Sequence, residues 1–595
     1  MKGVADPPPE RRRRLIDRAT AVVRREQFLI FLSALLVGLV AGYAALGFRL
    51  ALAAIQWLGY GYGGDSLASF AADLPWWRIL LIPTLGGVAV TLILRFVVPS
   101  RRPEGVAEVI EAAALHGNRM SLRQGFGAAL VSVTTLGSGG SAGREGPVVH
   151  LCAALASAAA QRFRIGRSGA LTLLGCGVAS GVAASFNAPI AGVIFAHEVV
   201  IGHYALRAFA PVVISAVAGT IVTRIHIGDF PAFQLQGHEI TSFLEMPAFA
   251  LLGLISGIVA VIFARSVAAT EDALDRTKVP DLTRPVLGGL AVGAIAILFP
   301  QVLGVGYEAT NIALGQGYGL RLLVLLIIAK TAATAITLGC RLGGGVFSPS
   351  LYLGAMTGGA FGIVAGTLFP DLASDHGVYA TAGMGALAAA VLGAPISTVL
   401  IVFELTSDYQ VTLAVMVAVV VATMVMTQVQ HRSFFHSQLA RRGIDFAAAS
   451  EAQILVEHRV RELARNDQEI VPAAAGLEDL RRLVQGSNAA AFYVTDGDGR
   501  LIGVLGPRPL TSHLLDPEPR AATAADLARP ADLVVTPDQT LAGILARMAA
   551  RQLDHVPVVE DLDTRKPVGI LHRADVLAAY NRALVATRAE EHGEA

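Results

Sequence analysis

Long apolar runs recur along the first three quarters of the chain, at about 28–58, 77–98, 124–136, 168–185, 208–224, 247–268, 284–304, 320–338, 377–392 and 410–428. Shorter apolar pieces, broken by glycine, lie between them. A helix needs about 20 apolar residues to cross a bilayer, so several runs predict crossing helices and others are too short to cross alone. After about Gln430 charged residues become frequent and apolar runs shrink to strand length, which predicts a soluble tail to Ala595. That tail repeats itself. Strand-like AAFYVTD (490–496) and LIGVLG (501–506) correspond to HVPVVED (555–561) and PVGILH (567–572), and each pair follows a helix-like stretch, LEDLRRLVQ (477–485) or TLAGILARMAARQ (540–552).

Composition supports the pattern. Of 595 residues 54% are hydrophobic and 16% charged, and the mean hydropathy is +0.57, which excludes an ordinary soluble enzyme. Lys+Arg 47 against Asp+Glu 46 leaves a net charge of +1, without the basic excess expected of a nucleic-acid binder, so no nucleic acid partner is expected. Cys152, Cys176 and Cys340 lie in apolar stretches without metal-ligand or disulfide spacing and read as small core residues. The first 26 residues carry PPP and the arginines Arg11, Arg12, Arg13, Arg14, Arg18, Arg24 and Arg25. That start is too long and basic for a cleaved signal peptide, and beside the first apolar run it places the N-terminus in the cytoplasm.

The membrane part contains a second, more informative repeat. TLGSGGSAGREGP (135–147) aligns without a gap on TLGCRLGGGVFSP (337–349), at an offset of 202 residues, matching Gly137 with Gly339, Gly143 with Gly345 and Pro147 with Pro349. Downstream, NAPIAGVIFAHE (187–198) pairs with GAPISTVLIVFE (393–404). Duplicated Gly- and Pro-interrupted apolar segments point to a transport site built from broken helices. In each copy a glycine-rich stretch leads through Gly-x-x-x-Pro into an apolar helix that would begin partway through the membrane. The first amides of such a helix lack intrahelical partners and carry the positive dipole end, so they attract an anion without a fixed cationic side chain. Weak binding of that kind suits an ion that must leave quickly.

GREGP (143–147), GGGVFSP (343–349), the NAPIAG segment and the repeated tail together resemble the chloride channel (CLC) family with tandem CBS domains, over about residues 27–585. The resemblance implies an all-α polytopic membrane domain of two inverted repeats, followed by an α+β cytoplasmic CBS pair. Expected domains are a cytoplasmic segment 1–26, a transmembrane anion-transport domain 27–443 (repeats about 27–226 and 247–443), CBS domain 1 at 444–516, and CBS domain 2 with the C-terminal tail at 517–595. It also implies a homodimer in a lipid bilayer, multi-pass in the inner (plasma) membrane with both termini cytoplasmic. The ligand would be chloride or a similar small anion, with no enzymatic activity and no required cofactor.

By the same resemblance Glu145 is the gate, competing with the anion for a helix-start site. An acid at a helix N-terminus is drawn to the amides that would hold chloride, and an intramembrane carboxylate is usually functional. Val346 and Phe347 would offer backbone amides to a central anion, Gly345 would permit the tight approach, and Pro349 would fix the helix start. Gly143, Arg144 and Gly146 complete the expected anion-binding set, Arg144 as either a nearby positive potential or a snorkelling side chain.

Three departures bear on mechanism. Glu104 in PEGVAEVIEA (103–112) stands where many members carry a serine hydroxyl. Glu198 is followed by Val199 where proton-coupled members have two acids. Phe435 in SFFHSQLARRG (433–443) replaces a tyrosine. Gate and backbone donors survive while two hydroxyls and an inner proton acid are missing, which favours passive voltage- or pH-gated conduction over chloride/proton exchange. Glu104 keeps exchange open as the rival, and a membrane-anchored nucleotide sensor is a third reading. Lys330 is intramembrane, either near the path or snorkelling. His150 and His197 read as core histidines, and Glu271, Asp272, Asp275 and Asp281 as a solvated loop between the halves. In the tail Asp575 of GILHRAD (569–575) matches an acid that binds adenosine ribose in similar domains, but His572 replaces the hydroxyl residue and the first copy, GVLGPRPL, lacks the acid. Asp575 is the one candidate nucleotide-binding residue.

Overall fold

The computed structural model describes residues 9–592 except 203, 205, 230–232, 234–239, 278, 445–457, 488, 506–521 and 542. The chain divides into two compact units, Met1–Ile444 and Asp445–Ala595.

The first unit is helical. Its first half contains α1 (Pro9–Tyr60), α2 (Leu67–Ala72), α3 (Trp76–Phe96), α4 (Val106–Leu115), α5 (Leu122–Gly137), α6 (Glu145–Arg162), α7 (Arg167–Phe186), α8 (Pro189–Phe195) and α9 (Leu206–Ile227). The second contains α10 (Met246–Arg276), α11 (Arg284–Leu298), α12 (Tyr307–Leu314), α13 (Leu320–Gly339), α14 (Phe347–Leu368), α15 (His376–Leu392), α16 (Pro395–Thr406), α17 (Tyr409–Gln430) and α18 (Phe434–Arg441). Among the described residues 8 helices are long and apolar enough to span a membrane. The others, including α8 and α16, are the short pieces between the long runs. The charged stretch Glu271, Asp272, Asp275 is not the loop that its polarity suggests: it forms the last turns of α10, where Asp275 pairs with Arg284 at 2.6 Å and Glu271 with Arg441 at 3.5 Å. Ion pairing with neighbouring elements supplies what an apolar face would otherwise provide.

Reciprocal contacts reveal the relation between the halves. A methyl group on Gly87 of α3 would lie 2.3 Å from the carbonyl oxygen of Pro285, and one on Gly289 of α11 would lie 2.1 Å from that of Pro83. Only glycine allows α3 and α11 to cross this closely. Thr135 Oγ1 accepts from the amide of Gly343 (3.0 Å), and Thr337 Oγ1 accepts from that of Ser141 (3.1 Å). The two short helices start alike: α7 ends on Asn187 (φ 59°) and α15 on Gly393 (φ 68°), both left-handed. Asn and Gly are the residues that tolerate this conformation, which explains why NAP and GAP interchange before α8 and α16.

The second unit contains β1 (Gln468–Pro472), β2 (Ala491–Thr495) and β3 (Leu501–Leu505) in one sheet, and β4 (His555–Val559) with β5 (Pro567–His572) in another. β1 and β2 are parallel with Gln468 opposite Ala491, and β2 is antiparallel to β3. β4 and β5 are antiparallel with His555 opposite His572. Helix Leu477–Gly486 covers the first sheet with Leu480 against Val471, Phe492 and Leu505, and Ile544 and Met548 of helix Ile544–Ala550 pack with Val556 and Leu571 on the second. The last residues of GVLGPRPL lie outside the described residues. Asp575 is bound by Arg465, and His572 Nε2 meets both oxygens of Asp467 at 3.1–3.2 Å. One oxygen of the acid expected to take a ribose is thus paired within the protein while its Oδ2 has no partner among the described residues, and the residue at the hydroxyl position is a paired imidazole.

Candidate functional site

The two motif loops meet backbone to backbone. Gly143 donates its N–H to the carbonyl of Gly345 (2.7 Å) and Gly345 donates to that of Gly143 (2.8 Å), an isolated antiparallel bridge. A methyl group on Gly345 would lie 3.2 Å from the amide nitrogen of Gly146, and one on Gly143 would lie 2.9 Å from Glu145 Oε2 and 3.0 Å from the amide nitrogen of Ser348. Absence of a Cβ on both strands therefore lets the starts of α6 and α14 face one another. Glu145 opens α6 and Phe347 opens α14, with Val346 as its N-cap. Helix geometry leaves the amides of Val346 and Phe347 without intrahelical acceptors.

Glu145 is completely buried. Its Oε1 accepts from the Tyr307 hydroxyl and its Oε2 from the Ser348 hydroxyl, each at 2.6 Å. Arg144 Nε lies 3.9 Å from Oε1, and its guanidinium carbon is 4.5 Å from the centroid of the Tyr307 ring. Arg144 is buried, so it supplies internal positive potential rather than snorkelling.

Two cavities flank this cluster and share no lining residue. The larger, about 230 Å³, is lined by Glu104, Glu145, Gly146, Gly345, Val346, Phe347 and Phe435, with charged walls of Glu108, Glu271, Asp275, Arg102, Arg284, Arg341, Arg441 and Arg442. The smaller, about 30 Å³, is lined by Arg144, Tyr307, Asp65, Glu308, Gln56 and apolar neighbours. The boundary between them falls at the Arg144–Glu145 peptide. Acids and arginines in the larger mouth pair with each other: Arg442 with Glu108, Arg284 with Asp275. The loop after α13 adds Arg341, paired with Asp281 at 2.6 Å.

Glu104 reaches the larger cavity and its Oε2 lies 3.3 Å from Nε2 of the buried His150, whose Nδ1 has no partner among the described residues. His150 is therefore half of an acid–imidazole pair beside the cavity, not merely a core histidine. Phe435 also lines this cavity.

Gly143, Glu198, Val199 and Lys330, drawn toward the path by the sequence, line neither cavity. Glu198, in a π-helical turn (Ala196–Ile201) after α8, accepts from the amides of Ile396 (3.0 Å) and Ser397 (2.8 Å) and so caps α16. Val199 is buried beside it. Lys330 is fully buried, and its Nζ donates to the carbonyls of Val302 (3.1 Å) and Gly304 (3.0 Å). Those bonds hold the loop that leads into Tyr307. Sequence reading missed Tyr307, Ser348, Thr135 and Thr337. Both threonines stand in the aligned TLG triplets, a signal already present in the repeat; Tyr307 lies in no repeated motif.

A family model described as voltage gated chloride channel matches residues 86–427, and one described as CBS domain matches residues 524–582. A putative chloride channel protein, ClcB-like, from Ralstonia nicotianae is 34% identical over 386 residues, 64% of this chain and 90% of that protein. The voltage-gated ClC-type chloride channel ClcB of Escherichia coli O9:H4 is 31% identical over 395 residues, 66% of this chain and 94% of that one. A solved slow cyanobacterial Cl−/H+ antiporter superposes with a TM-score of 0.61 at 24% identity, covering 69% of this chain and 97% of that structure. The structural likeness shows the fold. The sequence matches assign the chain to the voltage-gated chloride channel (CLC) family, as a membrane protein with a C-terminal CBS domain.

Proposed function

We propose that the protein conducts chloride or a similar small anion passively through the crossing of α6 and α14, with the Glu145 carboxylate as its gate. One observation carries this reading: a buried carboxylate stands at the boundary of two separate cavities, the larger of which is also lined by Val346 and Phe347 at the start of α14. Two facing helix starts create positive potential where an anion is stripped of water. A fixed negative side chain in the same field excludes a mobile anion until it is protonated or moves away. The path would then join the two cavities with no enzymatic step and no cofactor.

Passive conduction is favoured by the occupation of Glu198. Its carboxylate is committed to the α16 amides, and Val199 follows where a second acid would relay protons. Chloride/proton exchange is the second reading, supported by the Glu104–His150 pair beside the same cavity. We place the arginine-rich N-terminus and the CBS unit in the cytoplasm of a plasma-membrane homodimer, by the positive-inside rule and family likeness. In reconstituted vesicles, anion flux unaccompanied by stoichiometric proton movement supports the channel. Uphill proton movement driven by a chloride gradient replaces it with the antiporter.

A further inference from the structure

Each oxygen of the Glu145 carboxylate accepts a hydroxyl proton from a different element of the second repeat: Oε1 from Tyr307 at the start of α12, and Oε2 from Ser348 in the first turn of α14. A gate carried by one repeat is thereby fastened by the other. We propose that Tyr307 and Ser348 are positioning residues that form a two-hydroxyl latch, holding Glu145 in the path and setting the pH at which it lets go. The inference rests on the gate assigned to Glu145 above.

The latch is built in advance. Gly306 precedes Tyr307 with φ +91°, and a methyl there would lie 2.8 Å from Tyr352 Cδ2. Lys330 fixes the carbonyls of Val302 and Gly304, while Arg144 lies across one face of the Tyr307 ring and Phe233 packs 4.9 Å from it, centroid to centroid. Ser348 is placed by the α14 backbone. The Tyr307 ring is therefore held in place by contacts that do not involve the carboxylate. Each donor aimed at the buried carboxylate adds a charge-assisted hydrogen bond that release of the gate must break, so the latch holds the gate closed. When Glu145 leaves, the same two O–H groups face the vacated space and are the right chemistry for a passing anion. They supply hydroxyl donors that Glu104 and Phe435 do not.

Charged groups nearest the carboxylate on the packed elements are Arg144 beside it, Arg49 on α1 paired with Asp65 (3.1 Å), Glu308 on α12 bound to the amide of Ala68 (2.8 Å), Lys330 on α13, and Glu104 and Glu108 in the larger cavity. Arg144 also interacts with Tyr307, so Tyr307→Phe changes its surroundings, and Ser348→Ala is the variant that removes a latch hydroxyl away from that arginine.

The test is chloride efflux from liposomes holding the full chain as wild type, Tyr307→Phe, Ser348→Ala and Ser348→Thr, followed against pH. Loss of one hydroxyl should move the pH of half-maximal flux upward by about one unit, the shift expected for one hydrogen bond to a charged group. Ser348→Thr, which keeps a hydroxyl, should retain the wild-type midpoint. In a Glu145→Gln background neither Tyr307→Phe nor Ser348→Ala should shift any remaining pH dependence, which separates the latch from the Glu104–His150 pair. An unmoved midpoint in a variant that conducts overturns the latch alone. A midpoint that moves equally in the Glu145→Gln background also overturns it, and wild-type vesicles without anion flux overturn the underlying reading as well. Should Tyr307→Phe fail to yield folded protein, the Ser348→Ala against Ser348→Thr comparison decides the matter.

Discussion

Glu198 and Glu404 cap each other's repeats. The carboxylate of Glu198 accepts from the amides of Ile396 and Ser397 at the start of α16, and that of Glu404 accepts from the amides of Ile190 (3.0 Å) and Ala191 (2.8 Å) at the start of α8. Two acids that read in sequence as equivalent ends of NAPIAGVIFAHE and GAPISTVLIVFE are equivalent in space too, each neutralised by the other half's helix dipole.

This exchange predicts that Glu198 matters for assembly rather than proton transfer. Removing either cap leaves amides at a helix start without an acceptor, so Glu198→Ala and Glu404→Ala should each destabilise the protein by about 1–3 kcal/mol. Thermal melting in detergent measures the loss. Glu198→Gln, which keeps an acceptor oxygen, should recover part of it and leave the chloride-to-proton ratio unchanged; an altered ratio would return Glu198 to the transport path.

Glu145→Gln should open the path at all pH values. A neutral side chain no longer competes electrostatically with chloride, so flux should rise severalfold and lose most of its pH dependence. Liposome efflux across a pH series checks this. Flux and pH response identical to wild type would remove the gate.

At the crossing, Gly345→Ala should be destabilising. Its methyl would press on the Gly146 amide at 3.2 Å, where the opposing atoms are backbone and cannot rotate away. Overpacking of this kind costs about 1–3 kcal/mol and would part the two helix starts. We expect reduced yield of folded protein and weaker chloride binding by calorimetry in what remains.

Glu104 places a carboxylate on the wall of the larger cavity. Glu104→Ser removes that charge and introduces a hydroxyl donor, so chloride affinity should increase, by about tenfold if one hydrogen bond to the anion forms. Calorimetric titration reads the change, and unchanged affinity would place the anion away from Glu104.

The CBS unit carries its own acid sensitivity. Burial, reinforced by the neighbouring His572, holds His555 below the ordinary histidine value. The unfolded chain therefore takes up the proton first as pH falls. Stability from the β4–β5 pair is fully present above about pH 6.5 and declines as pH drops below it. Hydrogen exchange of strands β4 and β5 in the full protein should quicken over that range, and His555→Gln should flatten the response.

Much of this architecture was legible in one dimension. The apolar runs marked the long helices, because a bilayer core admits only segments of a certain length and polarity. Duplication of Gly-x-x-x-Pro marked where two helices would begin inside the membrane, because missing Cβ atoms and a proline-fixed start leave a signature at fixed spacing. Glu145 could be singled out because an acid in such a segment needs a reason.

What neighbours Glu145 was decided by tertiary structure. Tyr307 and Ser348 lie 162 and 203 residues downstream of it, and nothing local to either hydroxyl announces a carboxylate as its partner. Glu198 and Lys330 show the same limit from the other side: intramembrane charge suggested a pathway role, whereas the fold spends one on a helix start and the other on two carbonyls. Periodicity and backbone chemistry are properties of neighbouring residues and can be read along the chain. The partner of a buried charge depends on which distant elements cross, and here the crossing of two inverted halves set it.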